Sequence, residues 1–381
     1  MLSYYTMGLS WLHVWLADLR DSIDNLSFFF RRFHEESMDE YTTGSMMAKY
    51  AAITGWGMAV PKRILTNSDL EQMIDTSDEW IRTRTGIRER HVIGPGESTS
   101  TLATEAGRRA IAQAGLTPTA IDLIILATCT PDRPFPATSC TVQANLGIPH
   151  VGAFDIAAAC SGFVYGLGVA TGMVRAGMAR NVLFIAADIF THYINWRDRN
   201  TCILFGDGAG AVVLQASDQP YGQLSSVLGA SGEGEDLMAV DVGGTRMPAT
   251  PELLEQGRQY VYMQGREIFK QAVRGMGDSS LQAIREAGIT PDDIALVVPH
   301  QANLRIIEAT AKRLDIPMDR VFINLDRYGN TSAASVPIAL VEAVQQGQIK
   351  DGDYILLTAF GGGLTWASAV VRWGCSTENT P

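Results

Sequence analysis

Three things are scarce in this 381-residue chain, and each scarcity removes a class of function. No apolar run approaches the roughly 20 residues that a membrane-spanning helix needs, so no span is expected. Positive charge is in deficit: 30 lysines and arginines stand against 41 aspartates and glutamates, a net charge of −11. That balance argues against a general nucleic-acid binder and against a protein resting on acidic membrane surfaces. Cysteine is sparse and unpatterned. Cys129, Cys140, Cys160, Cys202 and Cys375 form no CxxC pair and no regular framework. Neither a zinc ribbon nor a disulfide scaffold is expected, and no metal site. Scattered free thiols in odd number suit a reducing cytoplasm.

What is present is a normal apolar content, 46%, with 19% charged residues, enough for two core-forming units of ordinary size. Residues 1–47 differ from the rest. They hold an apolar patch at 9–19 (LSWLHVWLADL), the cluster FFFRRF at 28–33, and an acidic polar stretch. No basic leader precedes the first patch, so a secretory signal is not expected. Two readings stay open for this extension: an amphipathic helix that docks on a partner or membrane surface, or a stretch upstream of the true start. The second is preferred here, because MAKYAAITGWG, from Met47, reads as a natural first strand.

From residue 48 onward, buried strands alternate with helices, which predicts an α/β layered fold. The alternation occurs twice. Residues 110–125 read AIAQAGLTPTAIDLII and residues 283–298 read AIREAGITPDDIALVV, so helix, glycine stop, threonine-proline turn and strand recur in register. The repeat predicts two similar halves, residues 48–222 and 223–373, related by a pseudo-twofold axis, with a short tail at 374–381. Extending the register sets Asn330 opposite Cys160 and Gly347 opposite Gly177.

Cys160 lies where a run of small apolar residues, 152–159, read as a fully buried strand, gives way to a glycine-rich helix from Ser161. A cysteine in such surroundings is as a rule simply a packed core residue. At a strand-to-helix elbow, however, free N–H groups and the helix dipole favour a thiolate, which predicts a lowered pKa and a nucleophile at neutral pH. His300 ends the strand at 294–298, where α/β folds place ligand sites. Asn330 precedes a helix at 333–346, for which it would also serve as a cap. In two halves packed about a twofold axis, these three groups converge on one crevice.

The segments AAACSGF, PHQANLRI and YGNTSAASVP, with FGDGAGAVVL at 205–214 and FGGGLTWAS at 360–368, resemble the 3-oxoacyl-acyl-carrier-protein synthase III family. The resemblance runs from residue 48 to 373. It implies a thiolase-like fold, two duplicated halves in five α-β-α-β-α layers, working as a cytoplasmic homodimer. It implies a decarboxylative condensation of acetyl-CoA, or another short acyl-CoA, with malonyl-acyl-carrier protein. No cofactor is implied beyond the CoA thioester and the carrier's phosphopantetheine. The catalytic residues would be Cys160, His300 and Asn330, with the amides of Cys160 and Gly362 as oxyanion hole. Loss of one such donor typically costs about 3 kcal/mol.

By the same resemblance, Trp80, Arg84, Arg199 and Asn303 would hold CoA, with Trp80 and Arg199 on opposite sides of the adenine. Phe205 would line the acyl pocket, and Phe135 would close it from across the dimer interface. Gln301, Ala302, Asn303, Leu304, Arg305, Lys270, Lys312 and Arg313 would dock the acidic carrier. Leu364 stands where an aromatic is common in the family. Two rival functions share these residue types: an acyltransferase of specialised metabolism with another acceptor, and a Cys-His-Asn thioester hydrolase.

Overall fold

A computed structural model of the chain describes residues 49–374; the expectations for residues 1–47 and for the tail beyond 374 lie outside that range. Nine strands form the main sheet: β1 (Tyr50–Ala59), β2 (Leu123–Ala127), β3 (Gly152–Ile156), β4 (Asn181–Ile189), β5 (Asp207–Ser217), β6 (Gly222–Ala230), β7 (Ile294–Pro299), β8 (Tyr354–Gly361) and β9 (Thr365–Arg372). Their order is β7-β8-β9-β6-β1-β5-β4-β2-β3. The two halves meet where Ala51 of β1 pairs in parallel with Gly222 of β6.

The order within each half is the same. Counted along the chain, the first half runs 3-2-4-5-1 from its outer edge inward. The second half does so too, once Val321, bridged in parallel to Val297 of β7, is taken as its vestigial third strand. In both, the second and fourth strands are parallel and the fifth is antiparallel to its two neighbours.

Helices fill three layers around the two halves of this sheet. Helix α2 (Thr99–Gln113) and α3 (Thr138–Leu146) cover the outer face of the first half, sharing a core with β2, β4 and β5. Helices α5 (Gly265–Glu286) and α6 (Leu304–Leu314) cover the outer face of the second. Between the two halves of the sheet lie α4 (Gly162–Arg175) and α7 (Ser335–Gln345), whose side chains join both inner faces in one core. Each Phe, Val or Leu buried there contributes on the order of 1.5–3 kcal/mol. The glycines of α4 set how closely it lies on the sheet: a β-carbon at Gly166 would fall 2.4 Å from the Phe184 ring of β4.

Two expectations need correcting. The segment at 152–159 was expected to be a fully buried strand, but β3 stops at Ile156 and is only partly buried, because it forms the open edge of the sheet. The register of the repeat also shifts. A one-turn 3₁₀ segment leads into α4 at Ala159–Ser161 and into α7 at Ser332–Ala334. Each opens on a non-glycine residue with left-handed backbone, Ala159 at φ 46° and Ser332 at φ 52°. The residue opposite Cys160 is therefore Ala333, and Asn330 lies three positions earlier. The shift arises before the helix, where the second half carries an extra turn at Leu325–Tyr328; α7 has 11 residues against 14 in α4, which brings Gly177 and Gly347 back to equivalent helix ends.

Candidate active site

The mouths of the two central helices open on one cavity of about 470 Å³, lined by Cys160, His300 and Asn330 among others. Cys160 sits within the 3₁₀ turn that starts α4, its side chain buried. Gly361, at the end of β8, presses against it: a β-carbon there would lie 2.6 Å from the Cys160 amide nitrogen. The absence of a side chain at 361 brings the next amide, Gly362, to the wall of the same cavity.

Two fields act on the Cys160 sulfur. The helix start behind it favours a negative charge. Burial opposes ionisation and wins, pushing the thiol up to about 12, although the Ser332 hydroxyl, 3.5 Å from Sγ, pulls the other way. The expected low-pKa thiolate is thus not the resting form; the thiol is neutral until substrate arrives. His300 is buried as well, and burial lowers its pKa to about 3, so the imidazole is neutral at physiological pH. Both shifts run against a standing thiolate–imidazolium pair.

The tautomer of His300 follows from its partners. Ser335 Oγ lies 2.6 Å from Nδ1 and also accepts the Gln301 N–H at 3.3 Å. With the Ser335 hydroxyl donating to Nδ1, the imidazole proton resides on Nε2, which then faces substrate as a donor. Asn330 is fixed at both ends of its backbone, donating to Leu204 O at 2.8 Å and accepting from Gly206 N at 3.0 Å. Its Oδ1 accepts the Ser332 N–H at 2.8 Å, which leaves its amide hydrogens as the free end.

Beneath the site is a buried carboxyl that the sequence reading missed. Asp188, at the end of β4, accepts from the Thr128 and Thr130 hydroxyls, the Cys129 amide and thiol, and the Ala333 amide. It therefore ties the loop after β2 to the turn before α7. The signal was available, since an aspartate closes the otherwise apolar run NVLFIAAD. Glu342 of α7 was missed too. It accepts two guanidinium N–H bonds from Arg327 at 2.8 Å, the Tyr328 hydroxyl at 2.7 Å and the Asn324 amide at 2.9 Å, which anchors the turn that carries Asn330.

At the rim, Trp80 and Arg84 come from helix α1 (Asp78–Thr85), capped by Ser77 and stopped by Gly86 at φ 83°. The Arg84 guanidinium carbon lies 4.3 Å from the indole centroid, and that of Arg199 lies 4.7 Å from it. Arg199 thus rests on Trp80 itself, held also by the Asp75 carbonyl at 3.0 Å and the Asp75 carboxylate at 3.9 Å, and a base between the two side chains requires Arg199 to swing away. Asn303 lines the cavity but also caps α6 through Arg305 N–H and donates to Arg84 O at 3.1 Å.

The docking residues divide. Gln301 is 1% exposed, with its amide donating to Pro299 O and Phe322 O while its oxygen accepts from Asn324 and Leu325. It is a structural clamp, and the expectation that it meets a partner is corrected. Ala302, Asn303, Leu304 and Arg305 remain at the surface or rim, and Lys312 is exposed. Lys270 pairs with Glu267 at 2.8 Å and Arg313 with Asp278. Phe205 is buried against Phe190, ring centroids 4.5 Å apart, and lines the cavity. Phe135 is 84% exposed and is not among this cavity's lining residues.

Two family models match the chain: 3-oxoacyl-[acyl-carrier-protein (ACP)] synthase III over residues 154–232, and its C-terminal counterpart over residues 284–373. The beta-ketoacyl-[acyl-carrier-protein] synthase III of Roseiflexus sp. (strain RS-1) is 76% identical over 327 residues, 86% of this chain and 99% of that protein. The enzyme of that name from Caldanaerobacter subterraneus subsp. tengcongensis is 55% identical over 323 residues, 85% and 98% of the two chains. Among solved structures, 3-oxoacyl-[acyl-carrier-protein] synthase III from Aquifex aeolicus VF5 matches with a TM-score of 0.79 at 48% identity, covering 85% of this chain and all of that one.

Proposed function

The chain belongs to the 3-oxoacyl-acyl-carrier-protein synthase III family, and on that premise we propose how its residues share the work of the family's reaction. The enzyme is an initiating condensing enzyme of fatty-acid synthesis, joining a short acyl-CoA to malonyl-acyl-carrier protein. The observation that carries the assignment of residues is the single cavity lined by Cys160, His300 and Asn330.

In the first half-reaction the Cys160 sulfur attacks the thioester carbon of acyl-CoA. The amides of Cys160 and Gly362 receive the oxyanion, the carbon–sulfur bond to CoA breaks, and the thiol proton leaves with the CoA sulfur. In the second, the malonyl thioester oxygen accepts hydrogen bonds from His300 Nε2–H and the Asn330 amide. The bond to the carboxylate breaks, CO2 departs, and its electron pair forms the enolate. The enolate carbon attacks the acyl-Cys160 thioester, and the Cys160 sulfur leaves with the charge. A histidine held neutral by burial suits a hydrogen-bond donor better than a general acid.

The rim supports CoA binding by Trp80, Arg84 and Arg199, and arginine forks suit its phosphates. Ala302, Asn303, Leu304, Arg305, Lys270, Lys312 and Arg313 remain the proposed carrier-docking face. Homodimer formation is part of the proposal. The exposed Phe135 ring and the partly buried edge strand β3 support it, and the ring would close the partner's acyl pocket. So is a cytoplasmic location; no described helix is long and apolar enough to cross a membrane.

The test is incubation of the full chain with acetyl-CoA and malonyl-carrier protein, with mass detection of both proteins. Acetoacetyl-carrier protein and an acetyl adduct on Cys160 are expected. Free acetate without a condensed product would favour the hydrolase. Cys160→Ser should abolish the adduct, whereas Asn330→Ala should keep the adduct but slow CO2 release by about two to three orders of magnitude. Loss of both steps in a folded Asn330→Ala enzyme would sink the division of roles.

A further inference from the structure

Ser332 is held in a backbone conformation that a serine rarely adopts, φ 52°. Glycine takes that conformation freely, whereas other residues persist there only when their surroundings impose it. Here the surroundings do impose it. The Ser332 N–H donates to Asn330 Oδ1 at 2.8 Å, and the next amide, Ala333 N–H, donates to Asp188 Oδ2 at 3.1 Å. Ser332 itself is fully buried. The consequence is that its hydroxyl oxygen lies 3.5 Å from Cys160 Sγ and 3.8 Å from Cys129 Sγ.

The direction of that contact follows from counting hydrogens. Cys129 donates its thiol hydrogen to Asp188 Oδ1 at 3.4 Å, so it has none to offer Ser332. A sulfur at Cys160 that has lost its proton is an acceptor only. The Ser332 hydrogen then has two sulfurs to choose from, and the charged one is the stronger acceptor. Resting on the reading of Cys160 as the nucleophile, we infer that Ser332 is a further catalytic residue: its hydroxyl donates to the Cys160 sulfur and stabilises it whenever it bears negative charge. It does so as the thiol ionises to attack acyl-CoA, and again as the sulfur departs in the condensation step. The Ser332 N–H is held by the Asn330 oxygen, and the Ala333–Asp188 bond fixes the same turn from its other side.

The same hydroxyl lowers the Cys160 pKa against the larger opposing effect of burial. A hydrogen bond to a charged group is worth enough to change the thiolate fraction by about tenfold or more. The experiment uses the full chain with Ser332→Ala and Ser332→Gly, each treated with iodoacetamide, whose alkylation of Cys160 reads the available thiolate. Both variants should react about tenfold more slowly than the wild type at a given pH, and match it about one pH unit higher. Ser332→Gly, which relieves the backbone strain, should at the same time melt at a higher temperature, so slow alkylation in it is not a folding defect. CO2 release from malonyl-carrier protein is then compared between Cys160→Ala and Cys160→Ala/Ser332→Ala. With no sulfur to receive the hydrogen bond, the two rates should agree.

Unchanged alkylation in both variants would overturn the inference. So would an equal slowing of CO2 release in the sulfur-free background, which would mean that Ser332 only props up Asn330. Mass mapping of the acetyl adduct in the wild type tests the underlying reading separately. An adduct on a residue other than Cys160 would refute the nucleophile itself, whereas an adduct on Cys160 with unaltered alkylation in the variants would refute only the role of Ser332.

Discussion

At the scale of single residues, the site is governed by burial more than by charge. Cys160 and His300 are driven towards their neutral forms, the thiol to about 12 and the imidazole to about 3. The sign of the effect is opposite in the two because the ionised form is the deprotonated one for a thiol and the protonated one for an imidazole. For Cys160 the thiolate therefore appears only as pH rises. Alkylation of the unliganded enzyme should accelerate about tenfold per pH unit between pH 7 and 10, with no plateau. A plateau below pH 8 would mean that the helix start outweighs burial after all. The sequence made the three chemical groups legible through their motifs, but not this balance. The elbow was readable at Cys160; how deeply the sulfur would be covered by residues from the second half was not. For the same reason Gln301 read as a surface residue, although it spends its whole amide on four partners inside the fold.

At the scale of elements, the central helices act as rigid pointers. The 3₁₀ turn leading into α4 holds Cys160, and the distance of α4 from β4 is set by Gly166, where a β-carbon would come within 2.4 Å of the Phe184 ring. Gly166→Ala should cost about 1–3 kcal/mol by overpacking, measured by denaturant unfolding. Because any relief moves the helix start, kcat should fall further than the stability change alone accounts for. An unchanged midpoint would mean that Phe184 yields easily. Most strands and helices were readable from apolar runs and glycine stops. What escaped was the relation between the two copies. The letters matched well through the helix–turn–strand unit, but the second copy then carries an extra helical turn, Leu325–Tyr328, before its 3₁₀ bend, and that insertion displaced the register at Asn330. An insertion between a matched strand and a matched helix start leaves both ends of the alignment intact, and a linear comparison has no means of placing it.

At the scale of the whole molecule, duplication gave two equivalent bends, and each carries a different load: Ala159 precedes the sulfur, and Ser332 supplies the hydroxyl beside it. The cavity they share has Trp80, Arg84 and Arg305 at its rim and Cys160 in its lining. A pantetheine arm delivering the primer and one delivering malonate have the same chemical length and the same sulfur to reach. They cannot occupy that channel together, so the route works as a turnstile. Double-reciprocal plots of rate against either substrate should give parallel lines, and free CoA should compete with the malonyl-carrier for the emptied, acylated enzyme. Intersecting lines would demand a second way in. Traffic through one shared doorway thus makes the order of events a property of the architecture: the donor must depart before the extender enters, whatever the primer's identity.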